Sequence, residues 1–401
     1  MSAVAGRERS AAGLSMQAVA ASIRNATFGE AAAKPAIGIE AEFLALDTGT
    51  RKVASLYGQL LPVMDTFAET AGWQRIESDK GAARFRTPAN GSVTFEPGGQ
   101  LEFATPPFDK PAQVLVHLEK TLQPLIDYAA DSGITLLGAG IDPFNTLDET
   151  PLQVNAERYI CMDAYFRTIS LAGPRMMRQT ASIQVNIGTG RPVAADWRLA
   201  NALVPYLTAI FANSQCYAGS DTGFASYRAR MWRELDASRT GLAWQPGDPA
   251  QAYADFALEA RAMFMRSPEG EYLPFRDWVC SGKATEQSVA THVSTLFPEV
   301  RPRGAYLELR AIDALPLNSY AAPMLLTAAL LLDPVARKRA EEVAGEPDPG
   351  LLNTAAERGL KDPVIHRVAS DLISIAQDRL MMDGAYGETA MAFFQERGLS
   401  P

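Results

Sequence analysis

In the stretch "IGIEAEFLAL" apolar Ile37, Ile39, Ala41 and Phe43 alternate with a second set that contains Glu40 and Glu42. Strand side chains point to opposite faces with period two, so the spacing predicts a strand with one apolar and one acidic face. The same alternation recurs in "TASIQVNIG", where Ala181, Ile183, Val185 and Ile187 oppose Ser182, Gln184 and Asn186. In "AYLELRAID", Leu307, Leu309 and Ala311 oppose Tyr306, Glu308 and Arg310. A further segment, "SVTFEPGGQLEFAT", sets Val93, Phe95, Leu101 and Phe103 against Thr94, Glu96, Gln100 and Glu102, with Pro97-Gly98-Gly99 expected to bulge or bend the strand. "GITLLGAGI" completes the strand signals.

Helical periodicity is clear over 111–133, where Val114, Leu118, Leu122, Leu125 and Ile126 make one stripe and Gly133 ends it. Helices are also expected near the N-terminus and over about 196–218, 252–265, 321–344 and 363–382. The apolar run "AAPMLLTAALLL" stops at Asp333 and Pro334, short of the roughly 20 residues a bilayer needs, and reads as a buried core helix. Residues 219–250 read as a long functional loop or lid. Strands interleaved with helices predict an α+β fold with an antiparallel sheet. Without repeats or long linkers, one domain over 1–401 is expected, with its core at about 35–320 and a C-terminal helical part at about 321–401.

A solvated sheet face is the ordinary explanation of one polar edge. Such a face mixes lysine with threonine, arginine and glutamate, whereas these segments carry five glutamates and no lysine. Carboxylates at i and i+2 lie about 6.6 Å apart, and at an effective dielectric near 20 they repel by about 2.5 kcal/mol. Hard divalent cations would offset that repulsion, since Mg²⁺ and Mn²⁺ take carboxylate and amide oxygens. On pattern alone both readings stand.

Composition narrows the chemistry. The net charge of −9 opposes nucleic-acid binding. Only three histidines and three scattered cysteines (Cys161, Cys216, Cys280) are present, too few for a zinc knot, a disulfide framework or a serine triad. The cysteines are expected to be buried small hydrophobes in a cytoplasmic chain. No P-loop or dinucleotide fingerprint occurs, so a nucleotide would be bound through metals and arginines. Arg310 shares a face with Glu308 and suits an anion such as a phosphoryl group, a plain ion pair between the two being the simpler reading. Arg175 and Arg178 precede the Gln184 strand, while Arg228 and Trp232 lie in 219–250.

Taken together, "GIEAEF", "FEPGGQLEF", "RYICMDAYF" with "GPRMMRQTASIQVNI", "FANSQCYAGSDTGFASYRARMWRELDASRTG" and "TLFPEVRPRGAYLELRAID" resemble the glutamate–cysteine ligase family. The resemblance is to its plant-type and bacterial branch, nearest the actinobacterial enzymes of ergothioneine biosynthesis, and covers about residues 35–320. It implies a glutamine-synthetase-like curved sheet that binds ATP with two or three Mg²⁺ ions, or Mn²⁺. The implied reaction passes through γ-glutamyl phosphate, which the amine of cysteine attacks to give γ-glutamylcysteine. Carried over by motif, Glu40, Glu42, Glu96, Glu102, Gln184 and Glu308 are metal ligands, with Gln184 also near the nucleotide. Arg310, with Glu308, attends the transferred phosphoryl; Arg178 and Arg228 meet the glutamate carboxylates, and Trp232 forms a pocket wall. "NSQCY" stands where the family has Asn-Ser-Pro, and the chain is shorter than the plant enzymes. Small molecules, not nucleic acid or membrane, are the implied partners. The alternatives are another acid or amine on the same fold, a guanidino-type kinase, or a binding protein on a spent scaffold, which the intact acid set opposes.

Overall fold

The computed structural model describes residues 13–78, 81–241, 243–267, 269–379 and 384–399. Its sheet comprises nine strands among these residues: β1 (Ala36–Asp47), β2 (Gln74–Ile76), β3 (Arg84–Arg86), β4 (Ser92–Phe95), β5 (Leu101–Ala104), β6 (Ile134–Leu137), β7 (Ser182–Gly188), β8 (Val300–Arg303) and β9 (Tyr306–Asp313). The order is β8-β9-β7-β1-β5-β4-β3-β2, with β6 pairing the far end of β1. All these pairings are antiparallel.

Residues directly opposite one another across antiparallel strands share a face. Glu42 faces Glu102, Glu40 faces Gln184, Thr94 faces Glu102, and Glu308 faces both Asn186 and Arg301. The polar sets of six strands therefore merge into one surface. On the reverse side Ile37, Ile39, Ala41, Phe43, Val93, Phe103, Ile183, Val185, Leu307 and Leu309 are buried. They belong to the main core, which includes the helix Val193–Ile210 and the apolar helix that begins at Ala321.

The helices used below are α1 (Met16–Thr27), α2 (Pro111–Asp131), α3 (Glu157–Arg167), α4 (Ala172–Gln179), α5 (Val193–Ile210), α6 (Tyr227–Arg233), α7 (Ala321–Leu332), α8 (Pro334–Ala344) and α9 (Pro363–Gln377). α1 confirms the N-terminal helix over its described part, capped by Ser15, which accepts from the Ala18 amide. α2 buries the expected stripe, except that Ile126 is only partly buried. α7 is buried almost throughout, and among the described residues no single helix is long and apolar enough to cross a membrane.

Several sequence expectations are corrected. "SVTFEPGGQLEFAT" is not one bent strand but the hairpin β4-β5, because Pro97-Gly98-Gly99 supplies turn chemistry and Gly99 adopts φ +90°. The expected 321–344 helix is two: the chain turns by 96° at Asp333-Pro334, where Asp333 caps α8 through the amides of Val335 and Ala336. The 196–218 helix starts earlier and stops at Ile210, since Asn213 binds the carbonyls of Gly138 and Ala314. The 252–265 helix spans Pro249–Glu259. α9 ends at Gln377, and residues 380–382 of that expected helix lie outside the described residues.

The described residues of 219–250 are folded rather than an open lid: they hold α6, short strand pairings at Ser220–Asp221 and Thr240–Gly241, and the fully buried Arg239. Arg239 is pinned by Asp236 at 3.0 Å and by the Thr295 carbonyl at 2.8 Å. Nor are the cysteines buried, Cys161 being half-buried and Cys216 and Cys280 exposed.

Candidate active site

The acidic face forms the floor of a cavity of about 500 Å³. Glu40 and Glu42 come from β1, Glu102 from β5, Glu96 from the end of β4, and Gln184 from β7. Two glutamines hold the β4-β5 turn in place. Gln100 accepts from the Gly98 amide and donates to the Thr180 carbonyl at 2.9 Å, while Gln153 donates to the Gly98 carbonyl at 2.7 Å. A Cβ at Gly98 would come within 2.1 Å of the Arg178 carbonyl oxygen, so only glycine lets the turn sit against α4.

The acids are only partly satisfied. Glu42 accepts from the Ser182 amide at 2.7 Å and from Gln184 at 2.8 Å. Glu40 accepts from Asn186 at 2.9 Å, and Glu102 from Thr94 at 2.8 Å. Burial, with Glu308 nearby, raises the Glu40 carboxyl above its ordinary pKa. Burial and the charges of Glu42 and Glu40 push Glu96 up to about 7, against the pull of Arg310 and Arg158. Glu102 is raised well above the carboxylate range by burial and by Glu96, Glu40 and Glu42. A ring of acids in this condition lacks counter-charge.

Glu308 is the exception. It is 1% exposed and does not line the cavity. Arg301 grips it through Nε at 3.0 Å and Nη2 at 2.6 Å, Arg303 stands 3.6 Å away, and Arg310 also bonds it. Burial works to raise its pKa, but Arg301 and Arg310 outweigh that and hold it below the ordinary value.

Guanidinium groups also line the cavity. Arg310 projects at a bulge between Leu309 and Ile312 and donates to Gln184. Trp232 packs between two of them, its ring 5.6 Å from Arg310 and 5.8 Å from Arg228. Arg228 lines the cavity, with Nη2 donating to the Arg310 carbonyl at 2.8 Å and its Nε buried without a partner. Arg178 does not line the cavity; its side chain pairs with Asp163 of α3. The structure thus brings Glu40, Glu42, Glu96, Glu102, Gln184, Arg228, Trp232 and Arg310 together and places Glu308 and Arg178 just outside.

Arg158, Arg301 and Arg303 also line the cavity and were not singled out from the sequence. For the last two a signal exists: "VRPRGAY" alternates arginines before a Gly-Ala turn, which folds Arg301 back opposite Glu308. Arg158 arrives from α3 and is fixed by Ser294 at 2.8 Å, a contact over 136 residues that no local pattern announces.

No histidine or cysteine lines the cavity, so it offers no such nucleophile or base. Among the described residues no three acidic, histidine or cysteine side chains already converge on one metal-sized point. The acids ring the space instead. Their oxygen-only chemistry and unbalanced charge fit hard divalent cations that complete their shells from a bound anion.

Comparison with known proteins places the chain in a family. Residues 36–392 match the family described as glutamate-cysteine ligase family 2. The chain is 36% identical over 308 residues to glutamate–cysteine ligase EgtA of Mycolicibacterium smegmatis, covering 73% of this chain and 72% of that protein. It is 28% identical over 374 residues to the chloroplastic glutamate–cysteine ligase of Medicago truncatula, covering 87% and 72%. The crystal structure of a Francisella tularensis glutamate–cysteine ligase in complex with AMP superposes with a TM-score of 0.51 at 13% identity, over 92% of this chain and 82% of that one. That likeness concerns the fold, which is glutamine-synthetase-like with an antiparallel sheet. By the extent of the match and by its relatives, the chain belongs to glutamate-cysteine ligase family 2, a family of ligases.

Proposed function

We propose that the chain joins the γ-carboxylate of L-glutamate to the amine of L-cysteine at the expense of ATP. The γ-carboxylate takes the γ-phosphoryl of ATP to give γ-glutamyl phosphate and ADP; the cysteine amine then displaces phosphate, leaving γ-glutamylcysteine. One observation carries the reading: acids short of counter-charge and a set of guanidinium groups line one cavity that no histidine or cysteine lines. Phosphoryl transfer needs charge neutralisation and positioning more than a protein nucleophile.

Glu40, Glu42, Glu96, Glu102 and Gln184 would hold two or three Mg²⁺ ions, or Mn²⁺, while Glu308, taken up by Arg301 and Arg310, supports them from behind. Bound there, the ions supply neutralisation of phosphate and carboxylate charge. Arg310, packed on Trp232 and bonded to Gln184, presents positive charge to the phosphoryl in flight. Arg228 and Trp232 face the acidic amino acid; Arg178, next in sequence to the cavity-lining Met177, serves that same end while held by Asp163. The product would enter the synthesis of small thiols such as ergothioneine or glutathione, in the cytoplasm, by one catalytic domain.

The test supplies Mg-ATP, glutamate and cysteine and follows ADP together with thiol product by mass spectrometry. ADP formed only with both amino acids, one for one with γ-glutamylcysteine, is the expected result. Faster joining of another amine would keep the ligase class and change the substrate. ADP without an amide product would replace the reading with a guanidino-type kinase.

A further inference from the structure

The apolar-polar alternation of β9 places residue 313 on the core side, yet that residue is an aspartate. The bulge at Arg310 resolves the conflict. One extra residue between Leu309 and Ile312 reverses the parity, so Asp313 pairs opposite Ser182, a cavity residue, and Ile312 turns into the core. Asp313 is nonetheless 1% exposed and does not line the cavity.

Four donors converge on its carboxylate. The Asn213 amide donates at 2.8 Å, the Ser214 hydroxyl at 2.6 Å and the Ser226 hydroxyl at 3.0 Å, and Arg228 Nη1 stands 3.7 Å away. The two hydroxyls in turn accept from the first turn of α6, Ser214 from the Arg228 amide and Ser226 from the Ala229 amide, each at 3.1 Å. Asp313 therefore fixes both the start of the helix that carries Arg228 and Trp232 and the head of Arg228 itself. Space enforces this position: a Cβ on Gly140 would lie 2.5 Å from the Asp313 Cγ.

We infer that Asp313 is a positioning residue that aims Arg228 at the acidic amino acid while tying it to the strand of Arg310; the inference rests on the function proposed above. A carboxylate only accepts hydrogen bonds, and four donors need such a group. An amide of the same shape has a single acceptor oxygen and sets its own N–H groups against donors. Freed from Asp313, the Arg228 head keeps the Arg310 carbonyl as its hydrogen-bond partner and the face of Trp232, but no opposing charge, and its aim into the cavity is lost. The network also accounts for the Asn-Ser of "NSQCY": Asn213 and Ser214 are the residues it uses, whereas Gln215 only lends its carbonyl to Thr222.

The test is steady-state kinetics of Asp313→Asn, Arg228→Lys and the double variant, each with glutamate and ATP varied in turn. Asp313→Asn should raise the KM for glutamate by about tenfold or more and leave the KM for ATP within about twofold. In the Arg228→Lys background the same change should add little, because both act through one guanidinium. Equal increases in both KM values, or additive losses in the double variant, would overturn the inference and make Asp313 merely structural. If Asp313→Asn gives no folded protein, Ser214→Ala should raise the glutamate KM by about threefold, and an unchanged value overturns the inference. A wild-type chain that does not ligate glutamate is a failure of the proposed function alone, seen before any variant is made.

Discussion

Glu102 and Glu308 are the same residue type on the same face of one sheet, yet their electrostatic states are opposite. Glu102 is surrounded by Glu96, Glu40 and Glu42 and holds its proton far above the ordinary range. Glu308 has Arg301 and Arg310 against it and loses its proton more readily than usual, although it too is buried. Burial is common to both, so the neighbours decide. An acid with its counter-ions built in contributes to the fold, while acids gathered without them strain it and await an outside cation.

The sharpest way to break the contrast is to neutralise one acid of the uncompensated ring. Glu96→Gln or Glu102→Gln should lower metal-dependent ADP formation by about a thousandfold or more, an effect of several kcal/mol. The melting temperature of the metal-free protein should rise in the same variants, since a neutral amide does not bear the cost of burying or protonating a carboxylate there. Ordinary turnover at ordinary Mg²⁺ would remove these residues from the metal site.

Glu308→Gln should behave in the opposite sense. It leaves Arg301 and Arg310 without their counter-ion, and such a loss costs about 3 kcal/mol of stability. A denaturant midpoint indistinguishable from wild type would show that the arginines find other partners.

The smallest effect sharpens the comparison through pH. A carboxyl whose folded pKa exceeds its unfolded value binds its proton more tightly when folded, so stability falls as pH rises from the ordinary carboxylate range through the folded pKa. That folded value is about 7 for Glu96, and Glu102 shifts in the same direction. Glu308 works the other way: its contribution is full above the ordinary carboxylate range and lost as pH falls through its lowered pKa. Thermal melts of metal-free protein should therefore lose stability of roughly 2 kcal/mol or more between about pH 5 and about pH 8. Added Mg²⁺ should restore more at the upper end than at the lower. A Mg²⁺ shift independent of pH would contradict this.

The legibility of the site follows from the reach of each signal. Period-two alternation made the polar face of β1, β7 and β9 readable, and with it Glu40, Glu42, Gln184, Glu308 and Arg310. Glu96 and Glu102 were readable as acids but not as neighbours across a hairpin, because Pro97-Gly98-Gly99 fits a bend as well as a turn. Asp313 was hidden by a bulge, which shifts parity without a mark in the alternation. Arg158 and its anchor Ser294 depend on packing between distant segments. The break at Asp333-Pro334 carries its own signals, a cap followed by proline that ends the apolar run, but helical residues resume directly beyond it and the two segments read as one.

The contact of the β4-β5 turn with α4 also has a kinetic meaning. The Gly98 amide is buried and bonded to Gln100, whose own amide grips the carbonyl of Thr180 just beyond α4. The Gly98 backbone has no room to slide past the Arg178 carbonyl. The Gly98 amide can therefore meet solvent only when turn and helix end part together, one cooperative opening rather than two frays. In deuterium exchange Gly98 should go at the pace of the amides it is clasped against, unlike the surface turn at Gly49, and Gln100→Ala should hasten its exchange.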